Sequence, residues 1–292
     1  MTTFVVDRSE RGKLALTGSE AKDFLHGQVT NDILGLEPGK GCYAAFLTHK
    51  GKMLGDMRVF DLGDELLLDC ERVALQELFN MIRRYKLGRD VELHKRTLEL
   101  GLLSVIGPEA PRYAGPEEHD NARVEVGGAE VVAVTTDVGT DLFMAAEDKD
   151  AVRAALEFPD GDEAAAEIVR VERGRPRYGI DLDDTVIPQE AGLNERAVSF
   201  TKGCYVGQET VARLYYRGKP NRRLLGLRLS EPAETGSELR LGEKVVGKLG
   251  SVVVSPEHGP IGLALVRREA NPGDTVAVNG TTAVIVDVPF KR

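Results

Sequence analysis

The chain of 292 residues contains no tryptophan, seven tyrosines and nine phenylalanines. So few flat rings exclude a broad base-stacking platform for single-stranded nucleic acid. Its three cysteines, Cys42, Cys70 and Cys204, lie far apart with no CxxC spacing. That excludes a cysteine-only zinc site and a disulfide framework. Neither a GxGxxG fingerprint nor a Walker A loop occurs, so the common dinucleotide and nucleotide phosphate cradles are absent. No stretch approaches the ~20 apolar residues of a membrane span. Residues 1–10 have neither a basic n-region nor an apolar h-region, so no secretory signal is expected. Free thiols suit a reducing compartment, and the expected location is cytoplasmic; a processed organellar form fits the same pattern.

Cations are also in short supply. Thirty-eight Lys and Arg face 47 Asp and Glu, for a net charge of −9 and a pI near 5.3. Neither nucleic acid nor an anionic membrane is an expected partner of such a surface. One basic run breaks the trend: Arg213, Arg217, Lys219, Arg222 and Arg223 follow each other with no acid between them. It reads either as a solvated helix face running into a strand, or as a local site for an anionic ligand.

What the chain has is glycine, 32 residues, and an ordinary apolar share of 42%. At this length that supports a sizeable core with many tight turns. Short apolar runs near residues 4–6, 14–16, 42–48, 53–62 and 66–70 read as strands, the third and fourth joined as a hairpin through His49–Lys52. Helices are expected over 20–28, with Ser19 as cap, and over 73–87. Further strands over 91–146 and helices near 149–157 and 163–173 lack the spacing of a doubly wound sheet. The expected class is α+β with antiparallel sheets. From Arg222 only short strands remain, split by Gly, Pro, Asn and Asp, which suggests a small β-barrel. Two domains are expected, residues 1–220 and 221–292.

The densest polar stretch is Lys202-Gly203-Cys204-Tyr205-Val206-Gly207-Gln208-Glu209, at the start of an expected helix. Gly203 and Gly207 allow sharp turns and close approach of a ligand. Free N–H groups near Gly207 would form an anion site. Cys204 sits between a lysine and a helix start, a setting that activates a thiol. The plainer alternative is a buried small side chain in a structural turn. Upstream, Glu172 stands among arginines in Arg170–Gly174. It is either a surface ion-pair member or a carboxylate held for a ligand with paired N–H donors.

The order of these pieces resembles a family. Gly27-Gln28-Val29-Thr30-Asn31-Asp32 is followed by Lys50-Gly51-Lys52-Met53 and by Arg170-Val171-Glu172-Arg173-Gly174 with Tyr178-Gly179. Pro188-Gln189-Glu190-Ala191-Gly192 and the 202–209 string come next, before the terminal barrel. Together they resemble the folate-binding superfamily of the glycine-cleavage T-protein, an aminomethyltransferase. The Lys-Gly-Cys-Tyr-x-Gly-Gln-Glu string is similar to the signature of its YgfZ-type branch.

The resemblance implies two interleaved ferredoxin-like subdomains plus a C-terminal antiparallel β-barrel around a folate cavity. It implies tetrahydrofolate, or a one-carbon-substituted form, as cofactor, and a role as accessory factor in iron–sulfur cluster assembly or repair. Iron–sulfur enzymes or assembly proteins would then be partners. Glu172 matches the pteridine-binding glutamate, and Thr30, Asn31 and Asp32 are expected to line the cavity. Lys202, Gly203, Tyr205, Gly207, Gln208 and Arg213 are expected near the ligand, Lys202 or the basic run meeting the anionic glutamyl tail. Cys204 is the candidate reactive thiol. The alternative is a folate-dependent aminomethyltransferase with Asp56 catalytic. Against that stands Gly55, where T-proteins resemble Gly-Gly-x-x-Asp-Asp and carry a second carboxylate.

Overall fold

The computed structural model describes residues 2–291. The chain divides into two compact units that interleave in sequence. The first comprises the chain through His49, Leu54–Glu163 and Arg196–Gln208; the second comprises Lys50–Met53, Ala164–Glu195 and the chain from Glu209.

The first unit starts with strands β1 (Phe4–Asp7) and β2 (Gly12–Thr17), then helix α1 (Ala21–Gln28). Strands β3 (Gly41–Leu47), β4 (Met53–Asp61) and β5 (Leu66–Cys70) lead to α2 (Leu75–Tyr85) and β6 (Glu92–Lys95). Then come β7 (Leu100–Ile106), β8 (Asn121–Val126), β9 (Ala129–Thr136), β10 (Gly139–Ala145) and α3 (Lys149–Ala155). They form two five-stranded sheets, ordered β1-β7-β10-β9-β8 and β3-β4-β5-β2-β6. The chain enters the first sheet with β1, builds the whole second sheet, and returns to the first with β7. That path is the interleaving expected of paired ferredoxin-like subdomains.

Period-two burial explains the strands. In the first sheet Leu103, Val105, Leu142 and Met144 cluster with Val152 and Leu156, so α3 and the turn after it cover that face. Phe60 and Leu67 of the second sheet cluster with Leu102, Val134 and Phe143 of the first, and the Phe60 and Phe143 rings lie 5.8 Å apart. Each such buried ring contributes about 1.5–3 kcal/mol.

Four charged side chains pair within this core. Arg58 bonds both Asp69 (2.7 Å) and Asp141, and Arg11 grips Asp69 at 2.9 Å. Burial alone would raise the Asp69 pKa, but the two guanidiniums hold it down at about 2. Ser19 does not cap α1; no side chain does. Its hydroxyl bonds Asp90 instead, at 2.6 Å.

In the second unit, α4 (Glu163–Glu172) comes first, the short α5 (Asn194–Ala197) lies where the chain passes back into the first unit, and α6 (Gln208–Arg217) precedes six strands. These are β11 (Arg222–Leu229), β12 (Glu238–Leu241), β13 (Lys244–Ser255), β14 (Gly259–Arg267), β15 (Thr275–Val278) and β16 (Thr281–Val286). They close in the order β11-β14-β13-β12-β15-β16, which leaves no free edge to pair with another chain. Leu227, Leu239, Val266, Val276 and Ile285 fill the interior. Outside it, Val171 of α4 packs with Leu224, Ile261, Leu263 and Phe290.

Strand β13 runs unbroken past Gly250, through a register shift between Leu249 and Val252. A side chain at Gly250 would meet Asp181 Oδ1 at 2.4 Å. The glycine is there for that close approach, not for a turn. Strand β12 escapes sequence reading because its four residues, Glu238–Leu241, alternate too briefly to register. No helix among the described residues is long and apolar enough to cross a membrane.

Candidate functional site

Asp56 lies on β4 and is only 5% exposed. The Tyr43 hydroxyl donates a hydrogen bond to its carboxylate. The other oxygen, Oδ2, is buried with no partner among the described residues. Burial pushes the pKa up to about 6, with Glu71 adding to it and Tyr43 and Arg11 opposing. A buried carboxyl poised just below neutrality with a spare acceptor is suited to proton transfer. Arg196 lies 5.2 Å from the centre of the Tyr43 ring and pairs with Glu118, so the tyrosine is held from two sides. Gly55 has a steric reason: a Cβ there would meet Phe46 and Ala74 within 2.6–2.7 Å. No second carboxylate fits next to Asp56.

The Lys202–Gln208 loop belongs to the same unit, and here the structure corrects one expectation. Lys202 does not face outward to an anion. Its ammonium donates to the carbonyls of His26, Val29 and Asn31 at 2.5, 2.8 and 2.8 Å. An ammonium has three protons, so none is left for a ligand. These carbonyls lie at and just beyond the end of α1, where a cation is favoured. Burial lowers the Lys202 pKa to about 8. Its charge in turn lowers His26, already depressed by burial.

Around Lys202 the loop is fixed at several points. The Lys202 Nζ lies 5.1 Å from the centre of the Tyr205 ring. Tyr205 is 9% exposed, and burial pushes its hydroxyl up to about 12. Gln208 accepts the Tyr205 N–H on its side-chain oxygen at 3.3 Å, and the Val206 N–H reaches Gly27 O at 3.3 Å. Gly207 has φ 85°, the left-handed turn that starts α6 at Gln208. A Cβ built on Gly203 would come no closer than 3.9 Å to any group beyond its chain neighbours, the nearest being His26 Nε2. Cys204 is exposed.

Thr30, Asn31 and Asp32 are likewise used within the chain. Thr30 Oγ1 donates to Ala197 O and accepts from Ala45 N. Asn31 donates to Tyr43 O and Arg196 O. Asp32 Oδ1 accepts from Gly35 N at 3.1 Å and lies 3.2 Å from His26 Nδ1. The segment therefore knits α1, β3 and the 196–197 backbone together, behind the residue that supports Asp56.

Glu172 ends α4 in the second unit. Ser255 Oγ donates to its Oε1 at 2.5 Å, and the same hydroxyl accepts the N–H groups of Glu257 and His258. The single serine proton is thereby aimed at the carboxylate. Phe290 N bonds Glu172 O at 2.9 Å, so the backbone is fixed as well. Oε2 makes no hydrogen bond among the described residues, which leaves acceptor capacity for a donor-rich ligand. Arg170, two residues earlier, is structural: it pairs with Glu167 and with Asp181. The basic run divides: Arg213 and Arg217 are exposed on α6, while Arg222 pairs with Glu190 and Arg223 bonds Asn271. Among the described residues no cluster of His, Cys, Asp and Glu forms a metal site.

Sequence reading missed Tyr43 and Ser255, the two hydroxyls that orient the carboxylates. Neither stands in a motif. Only its place in the apolar run of β3 hints at Tyr43, and only a serine inside an apolar strand hints at Ser255.

Two interleaved α+β sheets followed by a closed barrel define an aminomethyltransferase-like fold. The crystal structure of the glycine cleavage system aminomethyltransferase T from Bartonella henselae superposes with a TM-score of 0.86 at 20% identity, over 99% of this chain and 86% of that one. The chain matches the GCVT N-terminal domain family over residues 2–134 and the CAF17 C-terminal beta-barrel domain family over residues 221–291. An aminomethyltransferase of Thermotoga petrophila is 30% identical over 98% of this chain and 85% of its own length. The tRNA-modifying protein YgfZ of Colwellia psychrerythraea is 26% identical over 96% and 92%. A putative chloroplastic transferase of Arabidopsis thaliana is 29% identical over 98% and 71%. The chain belongs to the glycine-cleavage T-protein (aminomethyltransferase) superfamily and is a homologue of YgfZ.

Proposed function

We propose that the protein binds a reduced folate, tetrahydrofolate or a one-carbon-substituted form, and uses it in support of iron–sulfur enzymes. The observation that carries the folate reading is Glu172: fixed in backbone and side chain, with one oxygen held by Ser255 and the other open to donors. A pteridine ring offers adjacent N–H donors, which a carboxylate receives in pairs. When bound, the folate would supply a one-carbon carrier or an amine site. Glu172 would orient the ring. The iron–sulfur role rests on the Cys204 signature and on the exposure of that thiol. One thiolate does not hold a cluster, which usually takes four, so any iron or sulfur there is cargo in transit.

Calorimetry with tetrahydrofolate tests the first half. Wild type is expected to bind and Glu172→Gln to bind at least about tenfold more weakly, the worth of one charge-assisted hydrogen bond. No heat with wild type refutes the reading. For the second half, Cys204→Ala is expected to fail in restoring iron–sulfur enzyme activity to cells lacking the protein; full restoration removes the thiol from the mechanism.

A second reading, aminomethyl transfer, is favoured by Asp56, whose pKa of about 6 and unpartnered Oδ2 suit a general acid–base. Turnover with tetrahydrofolate and an aminomethyl donor, lost in Asp56→Asn, would promote it.

A further inference from the structure

The first unit holds a cleft of about 920 Å³ between α2, the end of α1 and the adjoining ends of β3 and β4. That size falls among small-ligand sites, roughly 300–1,000 Å³. The floor is apolar, from Leu47, Leu54 and Val206. Gln28, the last residue of α1, lines it too, and its Oε1 is buried with no hydrogen-bond partner among the described residues. A buried acceptor in that state calls for an N–H or O–H donor. One wall is α2. Glu77, Asn80 and Arg84 recur there at spacings of four and three, so they share one face, and Arg83 borders it. Glu77, Arg83 and Arg84 are exposed, and none makes a side-chain hydrogen bond or ion pair with a described residue.

These groups constrain what fits. An inorganic anion would pair with the arginines but be opposed by Glu77 and leave the apolar floor bare. An apolar molecule would leave the three charges and the Gln28 oxygen unused. A small peptide with two carboxylates, a free ammonium and amide N–H groups answers each in turn: carboxylates for Arg83 and Arg84, the ammonium for Glu77, an N–H for Gln28. One more feature selects within that class. Val206 of the floor is two residues from Cys204, so the two Cα atoms lie within about 7 Å of each other. Cys204 is the exposed thiol of the three. A tripeptide spans about 10 Å when extended, enough to carry a sulfur from the cleft to that thiol.

We propose that this cleft binds a small acidic peptide thiol in its disulfide form and directs it to Cys204, which it caps as a mixed disulfide. The Cys204 thiolate attacks one sulfur of the bound disulfide. The new S–S bond forms as the old one breaks, and the departing peptide thiolate takes from water the proton that Cys204 gave up. Excess reduced peptide thiol reverses the step, so no other oxidant or reductant enters. The cap shields the thiol from irreversible oxidation and suspends any transfer it performs. The inference shares Cys204 with the iron–sulfur reading but does not depend on it, nor on folate; it needs only an exposed thiol beside this cleft.

Oxidised glutathione is the probe, with two comparison disulfides: dithiodipropionate, which has carboxylates but neither ammonium nor amide, and the neutral bis(2-hydroxyethyl) disulfide. Mass spectrometry follows the mixed disulfide at Cys204 with time. Each rate constant is divided by that for the neutral disulfide, so the thiol's own reactivity cancels. In wild type the glutathione ratio is expected on the order of tenfold above the dithiodipropionate ratio. In Arg83→Gln/Arg84→Gln, whose fold is checked by circular dichroism, it falls toward the dithiodipropionate ratio. Calorimetry with S-methylglutathione, which cannot exchange, reads the cleft alone. Cys204→Ala is expected to bind it as wild type does, and the double arginine variant at least about tenfold more weakly. Absence of S-methylglutathione binding overturns the proposal. So do equal ratios for glutathione and dithiodipropionate in wild type, which would mean plain charge attraction, and a glutathione preference undiminished by the arginine changes. If Cys204→Ala fails to support iron–sulfur enzymes while wild type binds no S-methylglutathione, the thiol's role stands and this site falls; the reverse pair keeps the site and removes the role.

Discussion

Replacing Asp56 by asparagine removes a titrating group but keeps an acceptor for the Tyr43 hydroxyl. In the folded chain this carboxyl keeps its proton up to about pH 6, against 3.8 for an ordinary aspartate. The gap is just over two units at about 1.4 kcal/mol each, so ionising the buried group costs about 3 kcal/mol of stability. Between pH 3.8 and 6 the folded chain holds a proton that the unfolded chain has lost. Stability from this group is therefore complete below 3.8, falls as pH rises through the window, and is flat above about 6. The variant lacks that slope. Its new amide N–H sits where Oδ2 has no partner, a pH-independent penalty of about 1–3 kcal/mol. That offset leaves the slope untouched. Urea denaturation of both proteins in steps from about pH 4 to about pH 8 reads the difference directly. The variant is expected to gain about 2 kcal/mol on wild type across that range. Parallel curves would show that the carboxyl ionises at its ordinary pKa, and the proton-transfer role assigned to it would fall.

Three further outcomes follow from the same contacts. Lys202→Met strips the donor from three carbonyls at the end of α1, and urea denaturation is expected to show a loss of about 2–4 kcal/mol. Asp69→Asn removes the carboxylate shared by Arg11 and Arg58, leaving them Glu71 and Asp141, with an expected loss of about 2–3 kcal/mol at neutral pH; because the Asp69 pKa is depressed to about 2, that gap closes as pH falls from 3.8 toward 2. Ser255→Ala frees the Glu172 carboxylate to rotate, and calorimetry is expected to show tetrahydrofolate binding weakened but less than in Glu172→Gln.

The sheets and the barrel are legible in the sequence because each rests on a local signal: short apolar runs along β7, β10 and β14, and glycine or proline between strands. The residues that give the site its properties carry no such signal. Arg58 and Asp69 lie inside apolar strands, where a lone charge looks like a surface position. They are buried because they find each other and Arg11 across the sheet, a pairing no window along the chain reveals. Lys202 shows the opposite failure. Its position beside Cys204 suggests an activating charge, but three carbonyls ending a helix far upstream claim the ammonium. Gly55 looks like a lost carboxylate, and packing against Phe46 and Ala74 shows that no side chain fits there. Motifs reveal which residues matter; which neighbour each one spends its polar groups on is decided by the fold.

That distinction bears on Cys204. Every neighbour in its loop is committed: Lys202 to the end of α1, Tyr205 to burial under that lysine, Gln208 to the Tyr205 N–H. Cys204 alone is exposed among the three cysteines. Cys42 is held protonated by burial, its pKa pushed up to about 12 despite the opposing charge of Lys202. Cys70 is pushed up further, by burial and then by Asp69. Since the thiolate is the reacting form, a disulfide reagent on the native protein is expected to titrate one fast thiol of the three, absent in Cys204→Ala. Denaturation is expected to release the other two. Exposure of this side chain also means that Cys204→Ala should leave stability within about 0.5 kcal/mol of wild type. Two fast thiols in the native state would mean that Cys42 is open to solvent, and the frame drawn around Lys202 would be wrong. One fast thiol with undiminished iron–sulfur support in Cys204→Ala would leave the loop a well-built turn whose cysteine is chemically available and functionally idle.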